Sequence, residues 1–249
     1  MNIRSFTRAG LHRFLFTLES SPADFVTIYV TPDSFPEYLE AVSSDKKYAS
    51  SLIEIRQAIE TGAVHETMEK HGTGAAIFWN PIDKHIVLPS FLIPSNRLSE
   101  GKLDLSLLHQ TTDRKYLLAV IMVTWGWYAL GMFDGDNLVE SKVGTGHIHK
   151  KHKKGGQSQK RFARRTEEQK RDFLRRVGNH IGEKFGGYQP DYIFFGGNRL
   201  ILKPLIQESR YLQSRTDRIS PRILDVRYAD RDALNGSLTE INRSLVFTF

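Results

Sequence analysis

The sequence predicts a mixed α/β protein, a β-sheet with helices packed on it. Three observations carry that expectation. The first is a continuous apolar run, Tyr116-Leu-Leu-Ala-Val-Ile-Met-Val123, consistent with a strand buried on both faces. The second is the Asp134-Gly135-Asp136 turn, which joins an apolar stretch from Trp125 to Phe133 to a return strand from Asn137 to Val143. The third is the alternation that follows. A long helical pattern from Gln157 to Phe185 precedes a strand at Asp191–Phe195, and a helix starts after Gly196-Gly197, near Asn198 or Arg199. A last strand covers Arg222–Val226 and a last helix 230–246, with Leu234, Leu238, Ile241 and Leu245 on one face. This element order is that of a mixed α/β sheet with helices packed on it.

The first half is read the same way. Leu11, Phe14, Leu15 and Leu18 have helical spacing, so 8–20 is expected to be a short amphipathic helix. Phe25–Val30 reads as a strand stopped by Thr31-Pro32-Asp33. One helical pattern starts at Ser34; a second covers 46–60, burying Leu52, Ile55 and Ile59, with Gly62 as its stop. Residues 75–79 and 84–88 read as a hairpin across Asn80-Pro81-Ile82-Asp83, and Pro89 and Pro94 bracket a short extended piece. The polar stretch from Ser95 to Gln110 is the best boundary. The expected organisation is an N-terminal α/β region over 1–110, separate or part of one extended domain, and a second domain over 111–249.

At 249 residues the chain can bury a sizeable core. No apolar run reaches about 18 residues, so no membrane span is expected. The apolar run from Leu11 to Leu18 is broken by His12 and Arg13, which argues against a secretory signal. The absence of cysteine excludes a disulfide framework, a thiolate metal site and a cysteine nucleophile, and fits a reducing, cytoplasmic setting.

Formal net charge is +7 and the sequence pI about 9.5. That excess sits in one place. From Lys142 to Arg176 the bases are Lys142, Lys150, Lys151, Lys153, Lys154, Lys160, Arg161, Arg164, Arg165, Lys170, Arg171, Arg175 and Arg176, against only Glu167, Glu168 and Asp172. A basic field confined to one element is the footprint of nucleic-acid binding. It begins as a glycine- and lysine-rich loop after Val143 and continues as a helix whose stripe is Phe162, Thr166, Gln169, Phe173, Val177, Ile181 and Phe185. The stripe is apolar at its ends and polar in the middle, so the helix should dock through Phe173–Phe185. Its first two turns, with Arg161, Arg164 and Arg165, should project. Glu167 and Arg171 have the spacing of a helix-stabilising pair.

Plainer readings exist for several of these features. A lysine run is usually a solvated loop. His147, His149 and His152 have a metal-compatible spacing, but Lys150 and Lys151 lie between them and no acidic ligand is nearby, so no metal is expected. Gly72-Thr73-Gly74 lacks the phosphate-loop lysine and reads as a turn. Asp134 and Asp136 read as turn residues, and Trp125 and Trp127 as packing.

The junction of loop and helix is more specific. Gly155-Gly156-Gln157-Ser158-Gln159-Lys160-Arg161-Phe162-Ala163-Arg164 resembles the GGQ loop and following helix of the eukaryotic and archaeal class I peptide chain release factors. That pattern is Gly-Gly-Gln-Ser, two variable positions, then Arg-Phe-x-Arg-x-Arg and an acid. The match runs to Arg164 and resumes at Glu168; Thr166 departs from it, with Arg165 alongside. The resemblance extends less specifically across 111–249. No stop-codon-reading motifs are recognisable, so the likeness is closest to the short, codon-independent members that act in ribosome rescue and quality control.

The resemblance implies a ribonuclease H-like sheet of the release-factor middle-domain type, with the long basic helix preceded by the GGQ loop. It implies hydrolysis of the ester of peptidyl-tRNA in the peptidyl transferase centre of the large ribosomal subunit, with Gly155, Gly156 and Gln157 at the catalytic tip. Glycines there let the backbone take positive φ and approach RNA closely. Gln157 does not titrate near neutral pH, so its implied role is positioning, its backbone N–H stabilising charge and its side chain shaping the water pocket. Ser158, Lys160, Arg161, Arg164, Arg165, Lys150, Lys151, Lys153, Lys154, His149 and His152 would bind RNA phosphates and bases. The expected partners are large-subunit rRNA, peptidyl-tRNA and a glutamine methyltransferase acting on Gln157; no cofactor and no membrane are expected. Two alternatives stay open: metal-independent cleavage of the tRNA 3′ end, and RNA binding without chemistry. Metal-dependent cleavage of the ribonuclease H type would need a carboxylate on the first strand, and Leu117–Val123 has none.

Overall fold

The computed structural model describes residues 1–34, 37–38, 49–146, 148 and 157–249, with the backbone alone for 49, 157–160, 162 and 163. The described elements in chain order are β1 (Asn2–Phe6), α1 (Arg8–Glu19), β2 (Phe25–Val30), α2 (Ala49–Glu60), α3 (Gly62–His71), β3 (Ala75–Trp79), β4 (Lys84–Leu88) and β5 (Arg97–Gly101). They continue with α4 (Ser106–Thr112), β6 (Leu117–Thr124), β7 (Trp127–Asp134), β8 (Asn137–Thr145), α5 (Gln157–Phe185), β9 (Tyr192–Gly197), α6 (Arg199–Glu208), α7 (Arg210–Gln213), β10 (Ile219–Leu224), α8 (Arg231–Ile241) and β11 (Ser244–Thr248). The chain forms two compact units, Met1–Arg114 with Thr239–Phe249, and Lys115–Leu238. The mixed α/β class is as expected from the sequence. Among the described residues no helix is long and apolar enough to cross a membrane.

The first unit is built on a six-stranded sheet in the order β1-β11-β4-β3-β2-β5, antiparallel at every pairing. Alternation along β2, β3 and β4 sends side chains to two separate cores. Ile28, Ile77 and Ile86 meet Leu52, Ile55, Ile59 and Val64 from α2 and α3. Tyr29, Phe78 and Val87 meet Leu11, Leu15 and Leu18 of α1 and Leu105, Leu107 and Leu108 around α4. Thr7 caps α1, its side chain accepting from the Gly10 N–H at 3.2 Å.

Several expectations are corrected here. The helix expected to stop at Gly62 does end at Glu60, but Gly62 itself opens α3, where the Val64 and His65 N–H groups bond to the Thr61 carbonyl. Gly72 ends α3 in the left-handed region, which agrees with Gly72-Thr73-Gly74 being a turn. The expected helix over 230–246 stops at Ile241, and β11 inserts between β1 and β4 in the first unit's sheet. The polar stretch 95–110 contains β5 and the start of α4. β1 and β5 had no readable apolar alternation because they occupy the two edges of the sheet, where backbone pairing rather than burial holds them. The helix expected from Ser34 lies mostly outside the described residues.

The second unit has the sheet order β10-β9-β6-β7-β8. Its apolar run forms the central strand β6, parallel to β9 and antiparallel to β7. β10 is parallel to β9, and β8 is antiparallel to β7. One face carries α5, which buries Phe173, Leu174, Val177, Ile181 and Phe185 against Ala119, Ile121, Leu130, Ile193 and Phe195. Each such side chain is worth roughly 1.5–3 kcal/mol before the entropy of ordering is subtracted. Asn198 caps α6 as expected, its side chain accepting from the Leu200 N–H at 2.9 Å.

Helices α5 and α6 approach closely at Gly178, where an added Cβ would stand 2.5 Å from the Glu208 carbonyl oxygen. That neighbour is backbone and cannot rotate away. Gly178→Val is therefore expected to destabilise the protein by about 1–3 kcal/mol, as overpacking does. A urea-unfolding midpoint equal to wild type would show that the helices separate without cost.

Candidate functional site

The basic stretch lies in sequence between the end of β8 and α5. Helix α5 has 29 residues, which gives a length of about 43 Å. The loop residues His149, Lys150, Lys151, His152, Lys153, Lys154, Gly155 and Gly156 lie outside the described residues, as does His147. The backbone of Gln157, Ser158 and Lys160 forms the first turn of α5. Gln157 is the first helical residue, so its N–H is among the four that a helix leaves without an internal acceptor.

Arg161, Arg164 and Arg165 are all exposed. Their three- and four-residue spacing puts them on one face. Arg164 Nε lies 3.1 Å from Glu168 Oε1, with both side chains largely in solvent. An exposed pair of this kind contributes about 0–1 kcal/mol, so a phosphate can replace the carboxylate at little cost. Thr166, where the related pattern has an arginine, is buried, while Arg165 beside it faces out. Docking of the helix therefore begins at least seven residues before Phe173, earlier than the stripe suggested. Trp125 and Ile148 pack on the same core, and Lys170 Nζ sits 4.9 Å from the Trp125 ring centroid. Trp127 differs from Trp125 in being exposed.

The root of the arm is shaped by two absent side chains. A Cβ on Gly144 would come within 2.3 Å of the Tyr128 hydroxyl, and one on Gly146 within 2.4 Å of the Phe173 ring. Tyr128 and Phe173 thus fill the space beneath the departing strand. The Gly146 N–H donates to the Gly126 carbonyl at 2.8 Å, holding the exit against the β6–β7 turn.

Polar contacts then fasten α5 to β8. Lys184 Nζ lies 3.2 Å from Glu140 Oε1. Lys142 Nζ is 2.8 Å from His180 Nδ1 and 3.7 Å from Glu183 Oε2. His180 Nδ1 is also 2.9 Å from Glu183, and its ring stacks on Tyr128. Nδ1 can accept from Lys142 or donate to Glu183, not both at once. The sequence count included Lys142 with the RNA-facing bases, whereas the structure uses it inside the unit. Lys170 pairs with Glu167, Arg171 with Glu208 and Arg175 with Asp172, so the expected Glu167–Arg171 pair is replaced. Exposed arginines run along the described helix from Arg161, Arg164 and Arg165 to Arg171, Arg175 and Arg176.

Residues 116–246 match the model of the Actinobacteria/Chloroflexi VLRF1 release factor family, acVLRF1. The chain belongs to that family. Curated relatives include the eukaryotic peptide chain release factor subunit 1 of Stylonychia lemnae, 36% identical over 98 residues, or 38% of this chain and 22% of that one. The same protein of Oxytricha trifallax is 34% identical over the same length. The chain thus matches about a fifth of these relatives' length. Among solved structures, the archaeal translation termination factor aRF1 is similar over 95% of this chain and 70% of that one, with 16% identity and a TM-score of 0.41. Pelota of Archaeoglobus fulgidus is similar over 96% and 61%, with 7% identity and a TM-score of 0.32. The release-factor resemblance of the sequence is borne out at the level of family.

The α5–β8 fastening has a pH signature. The Lys184 ammonium, with the Ser141 N–H, holds the Glu140 carboxyl below its ordinary value; His180 first, then Lys142, does the same for Glu183. Carboxylates lowered on folding contribute stability above the unfolded pKa, which is lost as pH falls through the folded one. The double variant Glu140→Gln, Glu183→Gln should melt lower than wild type at neutral pH, and the two curves should converge below about pH 4. Parallel melting temperatures down to strong acid would contradict this assignment.

Proposed function

We propose that the protein is a codon-independent release factor that hydrolyses the ester of peptidyl-tRNA in the peptidyl transferase centre of stalled large ribosomal subunits, in ribosome rescue and quality control. The observation that carries the reading is the continuity of Gly155-Gly156-Gln157 with α5, which opens at Gln157 and presents Arg161, Arg164 and Arg165 outward just behind it. Membership of a release factor family supports it.

In this reading Gly155 and Gly156 let the backbone reach between RNA strands without Cβ clashes. Water adds to the ester carbonyl carbon, and the bond to the terminal ribose oxygen breaks. The products are a free peptide carboxylate and an intact tRNA whose 3′ hydroxyl takes up a proton. The Gln157 N–H, without an acceptor in its own helix, is free to donate to the developing charge. A donor so placed is worth roughly 2.7–4 kcal/mol. The Gln157 side chain positions the water and is the group a glutamine methyltransferase would modify. Lys150, Lys151, Lys153, Lys154, Lys160, His149 and His152, with Ser158 and the three arginines, hold rRNA and tRNA phosphates. The setting is cytoplasmic.

The test uses purified large subunits carrying labelled peptidyl-tRNA. Free peptide with an intact terminal adenosine is the expected product. A shortened tRNA would assign endonuclease cleavage instead, and binding without either product would leave an RNA-binding factor. Within the hydrolase reading, Gly156→Val should lower the release rate more than Gln157→Ala, because backbone approach outweighs the side chain. Equal release by Gly156→Val and wild type would overturn the mechanism. Replacing Arg161, Arg164 and Arg165 with glutamine should weaken subunit binding and lower the salt slope by about three phosphate contacts; an unchanged slope would remove these residues from the interface.

A further inference from the structure

The first unit carries a side-chain cluster that release chemistry does not use. His12 lies on α1 beside the buried Leu11, and His109 and Asp113 lie on the last turn and C-cap of α4. Their i, i+4 spacing puts His109 and Asp113 on one side of α4, and His12 meets them from α1. The ligand atoms of the three residues lie within 4.8 Å of one another. Asp113 spans both rings, with Oδ1 2.9 Å from His12 Nε2 and Oδ2 3.3 Å from His109 Nδ1. The two imidazoles stack 19° from parallel at 5.5 Å between centroids. The buried Thr112 hydroxyl lies 3.1 Å from Asp113 Oδ1 and 2.9 Å from the Leu108 carbonyl, steadying the carboxylate from behind.

We propose that His12, His109 and Asp113 form a binding site for a first-row divalent transition metal, zinc foremost, with its remaining coordination position open to solvent. Two imidazole nitrogens and one carboxylate oxygen suit zinc, whereas magnesium and calcium favour all-oxygen sets. In a tetrahedral site with bonds of 2.0–2.1 Å, neighbouring ligand atoms are about 3.3 Å apart. The two Asp113 contacts run to different carboxylate oxygens and the three ligand atoms lie within 4.8 Å of one another, so an ion would draw the exposed side chains together by up to roughly 1.5 Å.

A divalent cation binds both rings in their neutral form, and the protons facing Asp113 move to the other ring nitrogens or to solvent. The side chains of His12, His109 and Asp113 are 36%, 39% and 49% exposed, so an ion has a path in. Bound there, it clips α1 to the end of α4, two segments that cover the same face of the first sheet. The outcome is stabilisation that grows with free metal.

The full-length protein, stripped with a chelator, is titrated with zinc chloride against a chromophoric competitor. The comparison set is His12→Gln, His109→Gln, Asp113→Asn and a control carrying His147→Gln, His149→Gln and His152→Gln. One zinc per chain is expected in wild type and in the control. Each of the three site variants should bind at least ten- to a hundredfold more weakly, since even loss of an outer partner costs about that much. Zinc should raise the melting temperature of wild type and the control but not of His12→Gln, whose half-exposed side chain makes it the safest variant for folding. Equal affinity in wild type and His12→Gln, loss of binding in the control alone, or equal binding of magnesium would each overturn the proposal.

Discussion

The docking of one end of α5 onto the β6-β7-β9 face is the interaction on which the second unit depends. Phe173, Val177, Ile181 and Phe185 are fully buried there, and the same helix, sixteen residues upstream of Phe173, begins at Gln157. One element is therefore core at one end and exposed at the other. A helix of this length has no need to be stable along its exposed turns by itself, because its anchored end propagates helical structure outward. That matters here because the exposed end is unfavourable on its own terms. The first turn contains no acidic residue, while its bases lie at the positive end of the helix dipole and repel it and one another. An anionic partner would add attractions that offset those repulsions. The buried end of the helix offsets that local conflict.

The charges of the arm divide by position. Near the root, Lys142, Lys184 and Arg171 are committed to Glu183, Glu140 and Glu208, and these contacts hold α5 to β8 and α6. Near the tip, Arg161, Arg164 and Arg165 face solvent. Net charge alone could not separate these positions, because a lysine in an internal ion pair counts the same as one facing solvent. Gly144 and Gly146 let Tyr128 and Phe173 close the space under the end of β8.

The first unit is organised differently, as an antiparallel sheet with a core on each face. Its strands are short, and the outer ones, β1 and β5, contribute few apolar side chains. Their value lies in satisfying the backbone groups of β11 and β2, which would otherwise be open edges. The chain's last strand completes this sheet, so the N-terminal region read from sequence as one contiguous stretch is closed by residues more than 130 positions beyond its expected end. His12, His109 and Asp113 meet on one of the covered faces by the same long-range assembly.

What the sequence by itself determined was whatever a local pattern can encode. The continuous apolar run became β6, the Asp-Gly turn became the β7–β8 hairpin, and the three- and four-residue stripe became α5 with its buried end correctly oriented. The Gly-Gly-Gln-Ser and Arg-Phe-x-Arg string was legible because its information is in spacing, and it pointed to the right family. Tertiary structure alone decided the rest. Ser244–Thr248 carries apolar residues that fit a helical face as well as a strand, and only pairing with β1 and β4 makes it β11. Gly62 reads as a stop until the chain turns at Thr61 and starts α3. Lys142 acquires Glu183 and His180 from 41 and 38 positions away, and His12 acquires Asp113 from 101, because sheet register and helix packing bring them together. Periodicity records which face a residue occupies; it does not record what stands opposite that face, and the opposite side is where the ion pairs, the close glycines and the candidate metal ligands are found.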